Sequence, residues 1–252
     1  MLRPPHEPAC AMANIQNMKN QGSIIAKKRK QRDWSKVFAL PTISQAAPVA
    51  ANPAGLRLKL FDYQLRSLHR MCEIEEAGCI NLPAGSGTQE HCFRGGVIAD
   101  VVGMGKTAQL IALFLARPGR NLVITPGHLC MQWGEELTKF AGDQLSVMVI
   151  DPGSAQNHRH LFDSTDVVIV SLEYITTPGV SDTLFASRWR RVVYDECHEV
   201  IALSSTAQIE RLEQLCAAAN NVGAIFAMLQ PNEISEQQDR LNRCGAWFRY
   251  GA

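Results

Sequence analysis

The chain has 252 residues, 46% hydrophobic and 19% charged, with a formal net charge of +1. This is the composition of an ordinary globular core of one large domain or two small ones. No apolar run approaches the roughly 20 residues of a membrane helix. The N-terminus lacks the continuous apolar stretch of a secretory signal, so a soluble, intracellular protein with no membrane partner is expected.

The charge is unevenly placed. Residues 1–55 hold eight Lys/Arg and two Asp/Glu, against 17 and 22 in the remainder. With Pro4, Pro5, Pro8, Pro41, Pro48 and Pro53, this segment reads as a disordered leader that buries too little apolar surface to offset its ordering entropy. Its run Lys27-Lys28-Arg29-Lys30 is a candidate nuclear-import signal or nucleic-acid arm, or a merely solvated tail. Localisation is accordingly expected to be nuclear, or else cytoplasmic. The eight cysteines form no C-x-x-C pair. Cys72, Cys79, His91 and Cys92 match no standard zinc spacing, so reduced structural cysteines are expected.

From Leu56 onward helix and strand signals alternate. "LKLFDYQLRSLHRMCEI" carries Leu60, Gln64, Leu65, Leu68 and Met71 at helical spacing, and "GCINLPAGSGTQEHCFRG" reads as a turn-rich loop insertion. A short strand "GVIAD" precedes the helix "KTAQLIALFLARPG", which Pro118 and Gly119 stop. "NLVIT" is the next strand, followed by a helix with Leu129, Trp133, Leu137 and Phe140 on one face. "SVMVID", "DVVIVS" and "RVVYDE" are further buried strands, "STAQIERLEQLCAAA" a helix and "VGAIFAML" a last strand. Continuous apolar strands alternating with helices predict an α/β fold, a mostly parallel β-sheet covered by helices on both faces.

The stretch "GGVIADVVGMGKTAQLIAL", residues 95–113, places an apolar strand, a glycine-bearing turn and Gly-Lys-Thr at a helix start. A phosphate site needs converging backbone amides, a helix N-terminus, a lysine for the β and γ oxygens and a hydroxyl for Mg²⁺. Gly103 and Gly105 supply the turn, Lys106 the charge and Thr107 the hydroxyl, with Asp100, Val101, Val102 and Met104 completing the loop. Asp100 stands where the strict phosphate-loop pattern has glycine. Downstream, Val192-Val193-Tyr194 ends in Asp195-Glu196-Cys197-His198. A carboxylate at a parallel strand's end lies where open α/β sheets bind ligands. Asp195 can hold Mg²⁺ through water, Glu196 can orient and deprotonate the attacking water, and His198 can sense the γ-phosphate.

"GGVIADVVGMGKT" resembles the first motif of the Swi/Snf-type ATPases, DNA translocases of helicase superfamily 2 and DEAD/DEAH-like, in which aspartate is usual at the place of Asp100. "LVITPGHLCMQW" resembles that family's next motif, "WRRVVYDECHEV" its Walker B segment and "DVVIVSLEYI" the strand motif near the DNA backbone. "LKLFDYQLRSLHRM" is similar to its glutamine motif, in which Gln64 reads the adenine edge. The resemblance spans about residues 56–203. It implies a RecA-like P-loop NTPase lobe at 56–230 that binds ATP and Mg²⁺, hydrolyses ATP and engages duplex DNA or chromatin in remodelling or repair.

Three departures qualify what the resemblance implies. Val101 stands where the family has glutamate. "NNVGAIFAMLQPNEISEQQ" holds no Ser/Gly-Thr-Pro motif, so coupling to a second lobe is in doubt. Residues 231–252 form an atypical tail in place of a second helicase lobe, whose arginines are worth about 10³–10⁵ in rate. The chain is therefore expected to be the N-terminal lobe of such a motor, slow unless a second lobe is supplied in trans. The alternative is a nucleotide-binding interaction module without turnover. DNA contacts fall to Pro126, Gly127, His128 and Ser171, each of which is otherwise an ordinary turn or cap residue. Trp133 is expected to face the core.

Overall fold

The computed structural model describes residues 43–77, 80–83, 90–93, 95–98, 100, 103–150, 162–176, 181–196, 215 and 225–226. In chain order the described elements are helix α1 (Asp62–Ala77), strands β1 (Ile80–Pro83), β2 (Glu90–Phe93) and β3 (Val97–Ile98), helix α2 (Lys106–Ala116) and strand β4 (Asn121–Thr125). A 3₁₀ turn at Gly127–Leu129 leads into helix α3 (Cys130–Ala141). Then come β5 (Val147–Ile150), β6 (Val167–Ser171), α4 (Leu172–Thr176), α5 (Ser181–Ala186), β7 (Arg191–Tyr194) and β8 (Ile225–Phe226).

The expected parallel sheet is present. Among the described residues six strands run in the order β3-β8-β7-β4-β6-β5, every pairing parallel. The central strands β4, β6 and β7 are buried at every position, as near-continuous runs of Val, Ile and Leu require when both faces are covered. Alternation along each strand splits the core in two. Val123, Val167, Ile169 and Val193 pack beneath α1, α2 and α3 through Leu68, Ile111, Trp133 and Leu137. Leu122, Ile124, Val168, Val170 and Val192 pack on the other face against Tyr174, Ile175, Leu184 and Trp189. Each such side chain contributes about 1.5–3 kcal/mol when fully buried.

The segment 80–93 departs from expectation. It is not a plain loop, because Ile80–Pro83 pairs antiparallel with Glu90–Phe93, Ile80 opposite Phe93. Only Ile80-Asn81-Leu82 shows the apolar–polar alternation of a strand, and the surrounding Gly and Ser hid it. Part of the leader segment also falls within the described residues. Ala50 N–H donates to Leu65 O at 3.2 Å, and the Asn52 amide spans Leu58 O and the Leu60 N–H at 3.1 and 3.0 Å. The chain ahead of α1 is thereby tied down. Lys27–Lys30, Val101, Val102, His198, residues 231–252 and all but Leu215 of the helix expected at 205–219 lie outside the described residues.

Candidate functional site

Of the expected site residues that are described, Asp100 and Gly103 to Thr107 follow β3 and Asp195 and Glu196 follow β7, at the carboxyl ends of parallel strands, while Gln64 lies on α1. After β3, Asp100 is buried, and the chain then turns through Gly103 and Gly105 at φ 86° and 72°. This left-handed region costs an ordinary residue roughly 1–2 kcal/mol. At Gly105, the N-cap of α2, a side chain would also meet Gln64 Nε2 at 2.5 Å, whereas at Gly103 a Cβ would project into open space. The two glycines thus do different work. Gly105 permits close packing on α1, and Gly103 keeps the loop's rim clear.

Asp100, the departure from the strict phosphate-loop pattern, has a structural answer. Its carboxylate Oδ2 accepts from Gln109 Nε2 at 3.0 Å, and its carbonyl accepts from Lys106 Nζ at 2.7 Å. Gln109 is fully buried in an otherwise apolar stretch of α2 and also reaches Met104 O at 3.4 Å. Sequence reasoning missed Gln109. Its signal was a lone amide on an apolar helix. Met104 O accepts in addition from Gln64 Nε2 at 3.0 Å and Tyr63 Oη at 3.2 Å, so α1 and α2 both grip the loop through one carbonyl. Gln64 Oε1 accepts from Phe61 N–H at 2.9 Å. Among the described residues its carboxamide is left with one N–H and one lone pair.

Asp195 follows β7, its N–H donating to Ile124 O at 2.9 Å. Its Oδ2 accepts from Trp133 Nε1 at 2.6 Å and Thr125 Oγ1 at 3.3 Å, and its Oδ1 accepts from Glu196 N–H at 3.0 Å. Burial pushes the Asp195 carboxyl above its ordinary range, opposed by these three hydrogen bonds and the Lys106 charge. The same desolvation lowers the Lys106 ammonium, opposed by Asp100, Glu196 and Asp195. Glu196 is buried and adopts φ 45°, a left-handed conformation that costs a non-glycine residue on the order of 1–3 kcal/mol. Such strain collects at functional sites.

Gln64, Lys106, Thr107, Trp133, Asp195 and Glu196 line one cleft of about 540 Å³, together with Leu58 and Phe140. The donor set fits a triphosphate and its divalent cation. Lys106 and the first-turn amides of α2 suit phosphate oxygens. The Thr107 hydroxyl and Asp195 carboxylate suit a hard cation. Among the described residues no group of three or more His, Cys, Asp and Glu is placed to hold a metal ion. Of the residues expected to face DNA, Gly127 and His128 are exposed on the 3₁₀ turn. Ser171 is fully buried and caps α4, its Oγ accepting from Tyr174 N–H at 3.2 Å. Trp133 is core-facing, as expected, at 3% exposure. No described helix is long and apolar enough to cross a membrane.

Fold and site together define a RecA-like P-loop NTPase domain. The family described as the SNF2-related domain matches residues 63–218, and the chain belongs to that family. The Sulfolobus solfataricus SWI2/SNF2 ATPase core in complex with dsDNA shares the fold, with a TM-score of 0.59 and 20% identity over 76% of this chain and 37% of that one. DNA repair protein RAD5B of Arabidopsis thaliana is 30% identical over 179 residues, covering 52% of this chain and 14% of the relative. The DNA (cytosine-5-)-methyltransferase DMT5 of Cryptococcus neoformans var. grubii is 36% identical over 148 residues, covering 46% and 6%. The chain thus matches only a small part of these relatives' length.

Proposed function

We propose that residues 56–230 form the ATP-binding lobe of a Swi/Snf-type DNA-dependent ATPase, a translocase on duplex DNA or chromatin that serves remodelling or repair. The observation that carries the reading is the convergence of Gln64, Lys106, Thr107, Asp195 and Glu196 on one cleft. When bound, Mg²⁺–ATP supplies the γ-phosphoryl group and the cation that offsets its charge. Lys106 and the α2 amides hold phosphate oxygens, and Thr107 and Asp195 hold the cation. Glu196 orients a water and takes its proton. Gln64 offers its remaining N–H and lone pair to an adenine edge. His198 senses the γ-phosphate, and a second helicase lobe, in cis or in trans, supplies the arginines. The relative named as a DNA repair protein and the basic run Lys27–Lys30 support a nuclear, DNA-directed role.

The test is steady-state ATP hydrolysis by the 252-residue chain, with and without duplex DNA, beside Glu196→Gln. DNA-stimulated turnover that disappears in the variant is the expected result. Failure of the unaltered chain to bind ATP sinks the reading. Binding without turnover above the variant favours the interaction module instead.

A further inference from the structure

Asp195 is held by more than its own strand. A carboxylate offers about four acceptor sites. Trp133 Nε1 and Thr125 Oγ1 both donate to Oδ2, at 2.6 and 3.3 Å, and Glu196 N–H takes one site on Oδ1 at 3.0 Å. Among the described donors Oδ2 is therefore committed to the protein, and the remaining acceptor site lies on Oδ1. The three donors come from different elements: α3, the last residue of β4 and the residue after Asp195 itself. They fix the plane of the carboxylate as well as its place.

The indole suits this task. It has one directional N–H and no acceptor, so it cannot compete for a cation. Its ring is 3% exposed and packs in the core face formed by α1, α2 and α3, which leaves it little freedom to swing away. A hydrogen bond from so rigid a donor to an ionised acceptor is of the stronger, charge-assisted kind.

Resting on the nucleotide-site reading above, we infer that Trp133 is a positioning residue for the divalent cation: by committing Oδ2, it turns Asp195 so that Oδ1 serves the metal–nucleotide complex. Trp133 also lines the cleft, but this role runs through Asp195, because the indole has no acceptor for a cation. Partners of this kind, one step removed from a metal, typically change metal affinity by about 10- to 100-fold when removed.

The experiment compares the unaltered 252-residue chain with Trp133→Phe and Thr125→Val, using a fluorescent ATP analogue titrated in excess Mg²⁺ and again in EDTA. Mn²⁺ affinity of the nucleotide complex is read separately by electron paramagnetic resonance. Trp133→Phe keeps most of the ring volume and deletes the donor. The expected result is a Mg²⁺-dependent gain in affinity reduced by about 10- to 100-fold, Mn²⁺ binding weakened in parallel, and EDTA affinity unchanged. Thr125→Val, which removes the longer bond with little change in volume, shifts the gain in the same direction by less and stands in if Trp133→Phe does not fold. An unchanged gain in Trp133→Phe makes the indole a packing residue and overturns the inference. Equal losses in Mg²⁺ and in EDTA overturn it as well. Absence of nucleotide binding by the unaltered chain is a distinct outcome, which removes the site reading and this inference with it.

Discussion

Buried charge occurs at both ends of the sheet, and the two ends treat it differently. At the amino end, Arg191 opens β7 with no exposed surface. Its guanidinium grips both oxygens of Glu75, Nε to Oε1 and NH2 to Oε2, and also reaches Asn121 Oδ1 at 2.9 Å and Arg117 O at 2.8 Å. Four of its five N–H groups are thereby used, and the cation lies over the Phe114 ring with 5.9 Å to the centroid. At the carboxyl end, burial lowers Lys106 and raises Asp195, so each charge is held against desolvation beside a cleft. The contrast separates two uses of charge. One is spent within the fold and staples α1, α2, β4 and β7 together. The other is kept with capacity for a ligand, the usual condition of groups that do chemistry.

Breaking the amino-end network carries the largest expected effect. Arg191→Met leaves the Glu75 carboxylate, 8% exposed, with the looser Arg190 ion pair at 3.6 Å in place of its two-pronged partner. Removing one member of a buried pair costs about 3–5 kcal/mol, a large share of the roughly 5–15 kcal/mol that holds a domain folded. Urea denaturation should show the midpoint collapse. Arg191→Met with Glu75→Leu should recover much of it, because an apolar pair of similar bulk removes both charges. If the single variant matches the unaltered chain, the network is not what joins α1 to the sheet.

The same logic runs in reverse at the carboxyl end. Lys106→Ala removes an ammonium that burial disfavours but also its 2.7 Å hydrogen bond to Asp100 O, so the two effects offset and stability should change little, while nucleotide binding is weakened. A charge-assisted hydrogen bond is worth about 1.5–3 kcal/mol, so at least a tenfold drop in ATP affinity is expected by isothermal titration. Unchanged affinity would remove Lys106 from the phosphate site. A large fall in the melting midpoint would show that its charge serves the fold as Arg191 does.

The same contrast explains what was legible in the sequence. Gly103, Gly105, Lys106 and Thr107 are neighbours in the chain, and so are Asp195 and Glu196; local spacing alone places such groups. The strands were legible because burial on both faces demands unbroken apolar runs. The partners that hold these groups were not legible. Trp133 meets Asp195 across 62 positions and Arg191 meets Glu75 across 116. Both contacts depend on how helices settle on the sheet, which no local pattern records. Trp133 read as a core residue, which it is, but periodicity could not tell where its N–H would point. The β1–β2 hairpin was missed for a different reason: its alternation is too short to stand out among glycines and serines.

The smallest expected effect is a displaced pH limb. Burial raises the Asp195 carboxyl above its ordinary range, so between that range and the raised value the folded chain binds a proton that the unfolded chain has released. Without Mg²⁺ this makes Asp195 a destabilising group as pH rises through that window. Cation binding needs the ionised form, so Mg²⁺-dependent nucleotide affinity should fall on acidification at a pH above the usual carboxylate limb. Thr125→Val removes one of the opposing donors and should move that limb higher still. The shift should be modest, because the Trp133 and Glu196 donors and the Lys106 charge remain. A limb at the ordinary carboxylate position in the unaltered chain would mean that the three hydrogen bonds and the Lys106 charge fully offset the burial of Asp195. The two ends of the sheet would then be alike in holding buried charge by its partners, and differ only in whether capacity is left for a ligand.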